Sequence, residues 1–105
     1  MKIDTKTISW KKIKGRKGTS VKHLQRDKKR NFQIDLMRLD PNLTFNQHSH
    51  PDIEWIYILK GGFSDHRGNF KRGDFILNKL GSIHTTKTGA EGAEFIVCWC
   101  GKVTY

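Results

Sequence analysis

Hydrophobic and polar positions in this chain alternate over short runs and do not recur at helical spacing. Phe32, Ile34 and Leu36, then Met37 and Leu39, predict a strand over about 31–39. Asp40-Pro41-Asn42 is a turn signal, because proline fixes φ and asparagine tolerates a left-handed backbone. A second run covers 43–48. A third, 54–59, is dense in β-branched and aromatic residues on both faces and is expected to stop at Gly61-Gly62. Shorter strands are expected at 63–65, 69–71, 74–78, 83–86 and 93–100. The turn residues fall at a spacing of roughly 8–12 residues, as in a sandwich or barrel. Only residues 21–30 hint at a helical turn. The expectation is an all-β chain, with residues 1–30 forming an arm or extra edge strands and residues 31–105 forming the barrel.

Length and composition narrow this further. A chain of 105 residues with 35% hydrophobic side chains can bury one modest core. No run approaches the roughly 18–20 apolar residues of a membrane span, and the first residues lack the apolar stretch of a secretory signal. A cytoplasmic, soluble protein is expected. Cys98 and Cys100 lie two apart, and extended geometry keeps such a pair from bridging, so free thiols in a reducing compartment are expected.

The net charge of +10 is unevenly placed. Residues 1–30 hold twelve basic against two acidic side chains, whereas 31–105 are balanced. Such a segment could meet phosphates, an acidic partner or an anionic substrate, or it could be a solvated lysine face that guards a sheet edge. Trp10 is its only aromatic residue and no nucleic-acid motif is present. Nucleic acid and membrane are therefore not the expected partners.

The chemistry concentrates in Gln47-His48-Ser49-His50-Pro51-Asp52-Ile53-Glu54. Residues two apart on a strand share a face, so His48 and His50 can aim both imidazoles at one point. Pro51 ends that strand and a short connection lets Glu54 return beside them. His84 follows a turn containing Gly81. Three imidazoles and a carboxylate suit a divalent transition metal, whether zinc, iron, nickel or manganese. His23 and His66 have no comparable context and stay unassigned.

The register around these residues resembles the two-part cupin signature. Asn42, His48, His50, Glu54 and Gly61 match the spacing of its first part, with asparagine in place of glycine. Gly73, Lys79, Gly81, His84 and Thr88 match the second, with lysine for proline and threonine for asparagine. Phe63-Ser64-Asp65, Gly68, Gly73 and Gly81-Ser82 make the stretch most similar to the ChrR-type cupins. That resemblance implies a small antiparallel jelly-roll barrel (a double-stranded β-helix), a metal held by His48, His50, Glu54 and His84, and often a homodimer. Relatives in the ChrR-like group include oxygenases that cleave carbon–carbon bonds in small carbonyl or phenolic molecules.

Three activities are compatible with this reading. The first is an Fe(II)-dependent dioxygenase acting on a small molecule. Beyond the ligands its acid–base candidates are Tyr57, Asp65 and His66, by residue type only. The second is a non-catalytic metal-containing sensor or ligand-binding module of the ChrR type; here residues 1–30 are too short and too charged to supply the anti-sigma domain that precedes the cupin in ChrR. The third is a sugar- or anion-binding cupin, with Arg72 and Lys79 in support. If Glu54 faces inward, so do Ile56 and Ile58, and Trp55, Tyr57 and Leu59 face outward. Those three are expected to pack on the N-terminal segment or on a second subunit. Cys98 and Cys100 share one face of the last strand, where a thiol either nears the metal or serves as a small buried hydrophobe.

Overall fold

The computed structural model describes residues 1–46, 53–79 and 83–101. A 3-10 turn (Thr5–Thr7) precedes β1 (Lys11–Lys12), β2 (Thr19–Asp27), β3 (Phe32–Leu39), β4 (Thr44–Asn46), β5 (Ile53–Asp65), β6 (Gly68–Lys71), β7 (Phe75–Asn78) and β8 (Thr85–Cys100). All the pairings are antiparallel, in the order β1-β2-β3-β8-β5-β6, with β4 added to β8 and β7 to β5. Among the described residues the path does not close. It is a jelly roll, as expected, and not a fully hydrogen-bonded barrel. No helix among them is long and apolar enough to cross a membrane.

Two long strands replace pairs of short ones. β5 runs through Gly61-Gly62 where a stop was expected, and β8 joins the strands expected at 83–86 and 93–100. Bulges between Ile58 and Lys60 and between Gly61 and Phe63 absorb the change of direction. Gly61 has φ +59°, and a Cβ there would run into the Gly92 carbonyl oxygen; one on Gly62 would meet that of Phe70. These glycines permit close strand approach within a strand and do not mark its end. Residues 21–30 are not helical. Residues up to Asp27 belong to β2, and Asp27 then caps the turn by accepting from the Arg30 backbone N–H at 2.9 Å.

Asn42 adopts φ +53°, the left-handed conformation expected of a glycine stand-in. Thr88 has its own use. Its hydroxyl donates to the Asp40 carbonyl at 2.6 Å and accepts from Leu43 N–H at 2.8 Å, latching β8 to the turn before β4.

Cross-strand partners share a face, so the register fixes the lining of the interior. The deep rows are apolar: Val21, Met37, Phe95 and Ile58 are all buried and in line. Toward the other end the lining turns polar. Arg26, Gln33, Trp99, Glu54 and Asn78 form one continuous row across β2, β3, β8, β5 and β7.

The opposite face carries Trp55, Tyr57, Phe75 and Leu77. Trp55 lies against Phe75 at 5.8 Å between centroids, while Tyr57, Phe75 and Leu77 are exposed. The N-terminal Trp10 lies elsewhere, under Lys22 and Arg38 of β2 and β3.

Candidate metal centre

Glu54 opens the inner face of β5 and is 2% exposed. A buried carboxylate needs compensating donors, and two converge on it. Asn78 Nδ2 donates to Oε1 at 2.7 Å, and the Trp99 indole N–H donates to Oε2. Both come from strands adjacent to β5, at the positions directly opposite Glu54. Alternation along β7 and β8 could have placed Asn78 and Trp99 on the inner face, but the pairing that brings them to Glu54 is a tertiary fact.

His84 immediately precedes β8 and is 5% exposed. Neither ring nitrogen has a hydrogen-bond partner among the described residues. Asp65 Oδ2 lies 3.8 Å from Nδ1, a charge contact longer than a hydrogen bond. The His66 ring stacks on the His84 ring, with centroids 5.4 Å apart and planes within 10°. Ligand atoms of Asp65, His66 and His84 all lie within 4.8 Å of one another. The β5–β6 turn thus brings two residues named only by type in the sequence onto one side of His84.

Arg67, which carried no sequence signal, organises that turn. Its guanidinium spans both Asp65 oxygens, with Nη2 2.6 Å from Oδ2, and its backbone N–H donates to Oδ1 at 2.8 Å. Burial opposes the Asp65 charge, but the Arg67 hydrogen bonds and charge outweigh it and hold its pKa below the ordinary carboxylate value. For His84, burial first and the Arg67 charge second push the pKa down, while the Asp65 and Glu54 charges oppose them. A neutral imidazole keeps a lone pair, as a metal ligand must.

Of the four ligands expected from sequence, Glu54 and His84 are both buried, and the Glu54 charge acts on His84. His48 and His50 lie outside the described residues. Tyr57 is on the outer face, and Arg72 and Lys79 are exposed. Cys98 and Cys100 pair with Trp55 and Ile53, putting both on the face opposite Glu54. Cys98 is buried and its thiol is pushed up to about 11, mainly by burial and next by Cys100, which is exposed.

Comparison with solved structures gives the same architecture. A cupin-fold protein of unknown function from Ralstonia eutropha JMP134 aligns with a TM-score of 0.84 at 22% identity, over 95% of this chain and 66% of its own. A putative acetylacetone dioxygenase from Methylibium petroleiphilum PM1 aligns at 0.84 and 14% identity, over 100% of this chain and 79% of its own. The polyketide cyclase RemF from Streptomyces resistomycificus aligns at 0.82 and 20% identity, over 97% and 80%. This chain therefore spans about two thirds of the length of the first of these. At such identities the likeness shows the fold alone. No curated protein matches the sequence. The model of the ChrR cupin-like domain matches residues 1–104, and with the jelly roll and its buried Glu54 and His84 it settles the family: the chain belongs to the ChrR-type cupins.

Proposed function

We propose that this chain binds a divalent transition metal and acts on a small carbonyl compound. His84 carries the reading. It is a buried imidazole whose two nitrogens have no hydrogen-bond partner among the described residues, and it stands beside a buried carboxylate already steadied by two donors. Leaving such a ring unsatisfied costs about 1–3 kcal/mol, and a metal ion removes that cost. His84 and Glu54 would hold the ion together with His48 and His50. Bound there, it would supply a Lewis acid with open positions for a chelating pair of oxygens and, if it is iron(II), for dioxygen.

Asp65, His66 and His84 form a competing donor set. It is disfavoured because Asp65 is committed to Arg67 and His66 is exposed. With the Asp65 carboxylate 3.8 Å from Nδ1, a charge contact and not a hydrogen bond, Nε2 is the nitrogen left for the metal.

A polyketide and acetylacetone both carry carbonyls one carbon apart, and a 1,3-dicarbonyl is accordingly the substrate class to test. Protein purified anaerobically, without a histidine tag, is expected to hold close to one metal per chain by mass spectrometry. If the metal is iron, the protein should consume oxygen with acetylacetone. His84→Ala should lose most of the metal, and full retention would overturn the site. Tightly held zinc without oxygen uptake would move the reading to a sensor or binding module. The exposed outer face of β5 and β7 is the proposed homodimer contact.

A further inference from the structure

A second ionisable group lines the same interior, across β2 and β3. Asp35 is 0% exposed, and its neighbours along the row are Val97, Ile56 and Ile76. Its Oδ1 lies 2.8 Å from His23 Nδ1, and its Oδ2 accepts from the Gln33 amide. A carboxylate at Nδ1 selects the tautomer with its proton on that nitrogen and its lone pair on Nε2. Arg26 Nη2, a donor only, lies 3.4 Å from that Nε2 and selects the same tautomer.

The backbone is shaped for this. His23 and Arg26 are three apart and would point to opposite faces of an unbroken strand. A bulge between His23 and Gln25 pairs His23 with Asp35 and Arg26 with Gln33, so that both lie on the same face of β2, with Arg26 exposed. His23 keeps 32% of its side chain accessible although Asp35 behind it is sealed. The pair sits one row deeper than Glu54 on the same face.

We infer that His23, oriented by Asp35, is a general base toward a carbon acid bound in the barrel, and that Arg26 faces the oxyanion that forms. The inference rests on the small-carbonyl reading above. The C–H bond between the two carbonyls breaks, its proton bonds to His23 Nε2, and the electron pair remains on the substrate as an enolate. The imidazolium lies against Asp35; its Nε2, once protonated, can no longer accept from Arg26, so the guanidinium is released from the ring to meet the enolate oxygen. No oxidant or co-reactant is required; the partly accessible imidazolium exchanges its proton with solvent, and a solvent-derived proton (a deuteron in D2O) returns to the carbon by the reverse path.

The test is deuterium exchange at C2 of ethyl 2-methylacetoacetate in D2O, followed by proton NMR on the metal-containing protein. Bound metal and broadening of the probe signals are measured on the same samples. Wild type should accelerate exchange saturably. His23→Gln keeps a donor toward Asp35 but cannot take the proton, and should lose about 100-fold of that acceleration while retaining metal and probe binding. Arg26→Gln, at an exposed position, should weaken exchange with the fold intact. Equal exchange by wild type and His23→Gln, or probe binding by wild type without exchange, would overturn the base while leaving the carbonyl reading in place. Wild type that holds metal yet does not bind the probe would overturn both.

Discussion

Trp99 and Glu54 face each other across β8 and β5, and the indole N–H donates directly into the buried carboxylate. The contact ties the last strand of the jelly roll to the acidic member of the proposed metal site. Asn78 completes the grip from β7, so Glu54 is held by donors 24 and 45 residues away in sequence, on the two strands that flank it.

Trp99→Phe keeps much of the ring bulk and removes that donor. The buried carboxylate is left one donor short, which should cost about 1–3 kcal/mol in urea unfolding at neutral pH. Metal affinity should fall about 10–100-fold, the usual consequence of losing a partner that orients a ligand. Unchanged affinity would remove Trp99 from any part in the site.

Gly61→Ala tests the long β5. The residue lies at positive φ and its Cβ position is occupied by the Gly92 carbonyl. Backbone strain alone should cost about 1–3 kcal/mol, and the clash adds to it. A fall in midpoint temperature of several degrees is expected for a chain of this size. No change would show that the β5–β8 approach is looser than described.

The fold was legible because strand period and turn residues are local signals. Alternation placed Glu54, Ile56 and Ile58 on one face and Trp55 and Tyr57 on the other, and the cupin spacing singled out His84, which the fold buries, as a candidate ligand. What the sequence concealed was pairing. Gly61-Gly62 reads locally as a stop, since nothing nearby announces the Gly92 and Phe70 backbones that require glycine there. The charges of residues 21–30 masked a strand whose bulge breaks its own alternation. His23 had no visible context because its partner, Asp35, stands across a hairpin on the next strand.

The two thiols should behave differently. Cys100 is exposed, whereas Cys98 is buried with its pKa pushed up to about 11. At pH 8 a disulfide reagent should label one thiol per chain quickly and the second only on unfolding. A thiol whose folded pKa is raised contributes stability below its unfolded value of 9.0 and loses that contribution as pH rises toward 11. The wild type should therefore lose more stability than Cys98→Ala between pH 9 and 11. Two equally fast thiols would contradict the burial of Cys98.

Tyr57, Phe75 and Leu77 leave an apolar strip on the outer face, along β7, which among the described residues pairs with β5 alone. If this strip is the homodimer contact, Leu77→Lys should yield monomers by sedimentation velocity without loss of β-structure. A wild type that sediments as a monomer at tens of micromolar would exclude the contact.

Arg67→Ala removes the guanidinium that spans both oxygens of Asp65. With its side chain 1% exposed, Asp65 would then meet the burial that Arg67 now outweighs, and its pKa should rise above the ordinary value. In the wild type the lowered pKa contributes stability at neutral pH that is lost only below 3.8, as pH falls through the folded value. The variant inverts this, because a carboxyl with a raised pKa is penalised while charged and relieved by protonation. The gap between the two proteins should be about 1.5–3 kcal/mol at pH 7 and should narrow by pH 3 in urea titrations. A gap that is constant across this range would mean that Arg67 acts through its packing over Phe70, where its guanidinium lies 5.3 Å from the ring centre, and not through the Asp65 charge.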